Sequence, residues 1–180
     1  MHKSLRCRNV LMVGILILGA SLVDNSSALA NVTRTTSLKN LRTIIANAKA
    51  SIAARRDVET SRQVLDAAAS RLWDLSAAKH DGGAAVDRAL WEALYAYEYL
   101  MSDEAGRSYR ATYLRRKIAQ TDIVTAVSGS VLKGGKTTGL QALRDMGRLD
   151  ASFEAVVLRF RSTFPADVVE AAQKTLSEFG

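Results

Sequence analysis

From residue 37 onward, apolar residues recur at alternating intervals of three and four, the spacing that lines up side chains on one face of an α-helix. Leu38, Leu41, Ile45, Ala48 and Ile52 make the first stripe, with Ser37 or Thr36 placed to cap it. Val58, Ser61, Leu65, Ala68, Leu72 and Leu75 make a second, stopped by Gly82-Gly83. Both seams are narrow and rich in alanine, so they predict a closely packed amphipathic hairpin. The join at Arg55-Arg56-Asp57 holds neither Gly nor Pro, which leaves one long helix with a phase shift as the alternative.

The third stripe is wider. Over about Ala84 to Met101, Val86, Leu90, Ala93, Leu94, Tyr97 and Met101 share a face, and Trp91, Tyr95 and Tyr99 form a ridge beside it. A helix apolar over so broad an arc is expected at the centre of the fold, touching neighbours on two sides. Ser102-Asp103-Glu104 then reads as the cap and acidic first turn of a fourth helix. On residues 107–119, Ala111, Leu114 and Ile118 project to one side, and Tyr109, Arg110, Tyr113, Arg116 and Lys117 to the other. Asp122 or Thr121 caps a segment with Ile123, Val127 and Val131. A glycine-containing loop, residues 133–138, precedes a short helix with Leu140, Leu143 and Met146 that ends at Gly147. Asp150 is placed to cap a helix carrying Phe153, Val156, Val157 and Phe160. Pro165, the only proline, opens a last one with Val169, Ala172, Leu176 and Phe179.

No segment alternates with period two, so the expected fold class is all-α: a single helical-bundle domain of about six to eight helices. Within it the hairpin, 31–83, adjoins a compact helical core, 84–180. The first thirty residues stand apart. His2, Lys3, Arg6 and Arg8 precede an apolar run from Val10 to Ala20, and a polar stretch ends in Ala28-Leu29-Ala30. That order is the plan of a secretory signal peptide with an A-x-A cleavage site near Ala30. The run is short of the roughly 20 apolar residues a spanning helix needs, although extended to Val23 it would serve as an uncleaved anchor. The expected location is therefore periplasmic or extracellular. The single cysteine, Cys7, lies in this segment, so the chain beyond residue 30 has no disulfide and must stand on its core.

Charge sharpens the picture locally. Residues 31–104 carry ten Lys/Arg against ten Asp/Glu, whereas 105–180 carry twelve against seven. Between Gly106 and Lys136 the count is seven basic to one acidic, Asp122, which points to an anionic partner. Tyrosines standing among the cations, rather than Glu alternating with Lys, distinguish this face from a merely solvated one. The candidate binding residues are accordingly Tyr109, Arg110, Tyr113, Arg116 and Lys117, with Lys133 and Lys136 from the neighbouring loop. The partners that fit are an anionic lipid or glycolipid, through peripheral membrane contact, or an acidic protein. Nucleic acid fits the charge but not the expected export.

Motifs for other chemistries fall short. Gly135-Lys136-Thr137 matches the end of a phosphate-binding loop, but Ser130 stands where its first glycine belongs and the preceding segment reads as helix rather than strand. Ser130-Val131-Leu132-Lys133 and Ser76-Ala77-Ala78-Lys79 both fit S-x-x-K without the sheet domain such acyltransferases use. His80, the only histidine after residue 30, lies beside two glycines in an expected surface turn. No His/Cys cluster exists to hold a metal, and no cofactor motif is present. Glu92, Glu98, Asp103 and Glu104 flank the aromatic block, yet Glu92 and Glu98 point apart on a helix and read as solvated. Lys39-Asn40-Leu41-Arg42 departs at its first position from the R-x-L-R motif of secreted oomycete effectors, and its Leu41 falls on the apolar stripe, so it assigns no family. The expectation is a non-enzymatic exported interaction protein. The alternatives are a secreted effector that uses the amino-terminal hairpin for delivery or docking, and a carboxylate-based enzyme that lacks a positive motif.

Overall fold

A computed structural model describes residues 26–80, 82–135 and 137–179. Most of the expected signal segment, residues 1–25, lies outside the described residues, as does Lys136. The protein is all-α: every regular element among the described residues is helical, and none is a strand. No helix among them is long and apolar enough to cross a membrane.

The chain divides into two compact units, up to Arg71 and from Leu72 onward. In the first, residues 26–34 are helical and α1 spans Leu38–Ala53. Ser37 caps α1 by accepting the Asn40 N–H at 3.3 Å, and Leu41, Ile45 and Ala48 are its buried residues, as the stripe predicts. The junction is a true break. Arg55 and Asp57 both take positive φ, 55° and 40°, a conformation that interrupts helical hydrogen bonding and separates α1 from α2, Val58–Ala77. Arg71 near the end of this unit donates back to the Thr35 carbonyl at 3.4 Å.

The second unit takes in the last turns of α2, then α3 (Ala85–Ala105), α4 (Thr112–Gln120), α5 (Ile123–Val131), α6 (Thr138–Asp145), α7 (Phe153–Arg159) and α8 (Ala166–Ser177). The wide stripe of α3 is buried at Val86, Leu90, Ala93 and Leu94 and half-buried at Tyr97 and Met101; the helix packs against α5, α6 and α7, with Leu90 and Leu94 fully enclosed. Around Val86, Leu90 and Ala93 gather Ile123, Val127 and Val131 of α5, Val156 and Val157 of α7, and Val168 and Ala172 of α8. A smaller cluster joins Leu94 to Ala111, Leu114 and Ala126. α5 is helical despite its β-branched residues because Asp122 accepts the Thr125 N–H at 2.8 Å and its apolar face is covered.

Three expected boundaries are corrected. Ser102-Asp103-Glu104 do not open a fourth helix; they are the last turn of α3, which ends at Gly106 in the left-handed conformation, φ 61°. The Arg107 N–H returns to the Ser102 carbonyl at 3.2 Å, closing that turn in the way glycine favours. The following helix starts at Thr112, not Arg107. Ser152 rather than Asp150 caps α7, accepting the Ala155 N–H at 3.1 Å, while Asp150 pairs with Arg148 at 2.9 Å.

Candidate functional site

The loop 106–111 is tied down from α3, and the ties decide where the basic side chains go. Ser102 Oγ donates to the Glu98 carbonyl at 2.6 Å and accepts the Tyr109 N–H at 2.8 Å. One turn back, the Glu98 carboxylate accepts the Ala111 N–H at 2.8 Å. It also takes a bidentate pair from Arg115, Nε to Oε1 and Nη2 to Oε2, each at 2.7 Å. Glu98 is therefore not solvated, as its charge suggested, but 8% exposed. The Arg115 guanidinium is held in the charged state by Glu98 and lies 5.0 Å from the Tyr95 ring and 5.4 Å from Trp91. Those aromatic contacts cover a charge that would otherwise be costly to remove from water.

His80 belongs to the same assembly. Its ring stacks on Trp91, centroids 3.7 Å apart and planes 10° from parallel, and one ring nitrogen meets the Tyr95 hydroxyl at 3.0 Å. The expected exposed turn is thus a half-buried stack. Burial holds the His80 pKa below its ordinary value, helped by Arg115, Lys79 and Arg110. Among the described residues no cluster of His, Cys, Asp and Glu is arranged to hold a metal ion.

The expected binding face separates. Tyr109 and Arg110 precede α4 and so do not share its polar face, contrary to the continuous helix the sequence suggests. Tyr109 turns inward, edge-on to Tyr97 at 5.8 Å, with the two hydroxyls 3.3 Å apart. Arg110 is exposed, and its field acts on His80. Tyr113 is different. It is 63% exposed, with Lys117 Nζ 5.4 Å and Lys133 Nζ 5.5 Å from its ring centroid. The two ammonium groups pull the Tyr113 phenol below its ordinary pKa. Neither lysine forms an ion pair among the described residues, so both charges are available. Arg116 is exposed on α4 beside this clamp.

Sequence reading missed two features. Leu132, next to Lys133, is 48% exposed and shares with Tyr113 the distinction of being a large exposed hydrophobic residue. Glu98 was legible in principle: it falls four residues after Leu94 on the buried stripe of α3, where a charge demands a partner. No protein-family model, curated protein or solved structure matches the chain.

Proposed function

We propose that this is an exported, non-enzymatic helical protein that contacts an anionic membrane surface through Tyr113, Lys117 and Lys133, with Arg116 alongside and Lys136 supplied by the same loop as Lys133. The reading includes cleavage near Ala30 and a bundle-like packing of the helices after it. One observation carries the surface assignment: two unpaired ammonium groups converge on an exposed tyrosine ring, with exposed Leu132 adjacent to one of them. Amphipathic aromatic and apolar groups flanked by lysines suit the boundary between headgroups and acyl chains. Against the carboxylate-enzyme alternative, Glu98 is engaged by Arg115, and Glu92 pairs with Arg88 at 3.3 Å along the helix.

A lysine near an anionic leaflet contributes about 1 kcal/mol. Replacing Lys117 and Lys133 together by Ala should then weaken binding to vesicles of mixed phosphatidylglycerol and phosphatidylcholine by about thirtyfold. Wild-type protein should leave pure phosphatidylcholine vesicles largely unbound, and Tyr113→Ala should weaken the remainder. Equal sedimentation with neutral and anionic vesicles, or an unaffected double variant, would refute the assignment.

A further inference from the structure

A cavity of about 250 Å³ lies among α3, α4, α5, α6 and the start of α7. Its floor is apolar and buried, with Ala93, Leu114, Val131, Leu140 and Leu143. Its mouth is exposed, at Thr112, Tyr113, Ser130 and Thr137. A cavity of roughly 150 Å³ admits benzene, so this one has room for a ring and a short arm.

Several polar groups of the wall have a hydrogen-bond partner within the protein. Thr137 Oγ1 accepts the Leu140 N–H at 3.2 Å, and Ser152 Oγ accepts the Ala155 N–H at 3.1 Å. Thr112 Oγ1 donates to the Arg110 carbonyl at 3.1 Å. The Tyr97 and Tyr109 hydroxyls face each other, and burial followed by that hydrogen bond pushes the Tyr97 phenol up to about 12, so it stays neutral.

Glu154 is the one charged residue in the wall. It stands in the first turn of α7, where its own N–H and the Ser152 hydroxyl favour the charged form, yet burial prevails and pushes the carboxyl above its usual range. Among the described residues no cation pairs with it. A carboxylate desolvated without a counter-charge is improved by any cation that reaches it.

We propose that this cavity binds a small organic amine, a ring seated on the apolar floor with a short arm ending in a protonated nitrogen at Glu154. The site is separate in chemistry from the lysine clamp, with which it shares only Tyr113, and neither depends on the other.

The experiment is calorimetric titration of the full chain with three probes of matched shape: 2-phenylethylamine, 2-phenylethanol and 3-phenylpropionate. The amine should bind at least about tenfold tighter than the alcohol, the worth of a charge-assisted contact, and the acid should bind weakest. Glu154→Gln should bring the amine down to the alcohol and leave the alcohol unchanged. Ser130→Trp, at the mouth, should weaken both. The ranking of probes on the wild-type chain stands even where a variant loses its helical circular-dichroism signal. Absence of binding by all three probes, an alcohol or acid equal to the amine, or an amine preference that survives Glu154→Gln would each overturn the proposal.

Discussion

Replacing Glu98 with Ala removes the acceptor of three hydrogen bonds at once. Arg115 loses both of its 2.7 Å contacts, and the Ala111 N–H loses its partner at 2.8 Å. The side chains of the pair are only 11% and 13% exposed, so water replaces little of what is lost. Breaking a buried ion pair from one side costs about 3–5 kcal/mol because the remaining charge is stranded. A buried amide without a partner adds about 1–3 kcal/mol when nothing rearranges. The long Arg115 side chain can swing partly toward solvent, which places the expected loss near 4 kcal/mol, at the middle of the first range. Arg115→Met should cost less, since the carboxylate keeps the Ala111 N–H and lies closer to water once the guanidinium is gone. The double variant Glu98→Ala with Arg115→Met leaves neither charge and should recover part of the loss. Urea unfolding followed by circular dichroism across the four proteins measures the coupling as a double-mutant cycle. A cost below about 1 kcal/mol for Glu98→Ala, the figure for an exposed pair, or additive single variants, would refute the claim that this pair anchors the loop.

Two further consequences concern the ends of the same site. The folded pKa of His80 is depressed, so the unfolded chain takes up its proton first as pH falls. Its stabilising contribution is complete above the ordinary value of 6.5 and is lost as pH falls from there through the lower folded value. Urea midpoints should decline over that window in the wild type and less so in His80→Phe; parallel curves would refute it. Gly139 lies in the first turn of α6, where an added Cβ would fall inside the van der Waals envelope of the Tyr97 ring. Gly139→Ala should therefore cost about 1–3 kcal/mol by overpacking, despite the better helix propensity of alanine, and a gain in stability would refute the close approach.

The helical class and the burial of α1, α3 and α5 were legible because three- and four-residue spacing of apolar groups survives wherever a helix lies half against a core. Leu41, Ile45, Leu90, Leu94, Val127 and Val131 are buried where periodicity places them. The boundaries near residue 106 were not legible, for a physical reason. Ser102, Asp103 and Glu104 have the composition of a helix start, and only the left-handed turn at Gly106, closed by the bond from Arg107 to Ser102, makes them an end. A cap residue takes its meaning from the backbone conformation on either side, which side-chain type does not determine. The face of Tyr109 and Arg110 failed with that boundary, since residues outside a helix do not follow its 100° steps.

The strength of the basic patch follows from this geometry rather than from the count of cations. Between Gly106 and Lys136 the sequence holds seven basic residues, but they do not act as one field. Arg115 is neutralised by Glu98, and the charges that act on the Tyr113 phenol are those of Lys117 and Lys133, not Arg110. Lys117 and Lys133 supply the charges that meet on the exposed ring, and Arg116 stands nearby on the same helix. Two or three effective charges also bound the salt dependence: a surface of this size should lose its anionic partner over a modest rise in ionic strength, because exposed charges are screened within about 8–10 Å. Arg115 is for this reason the wrong residue with which to test binding. Its loss would untie α4 from Glu98 of α3, and weaker vesicle binding would then report a displaced clamp rather than a missing contact.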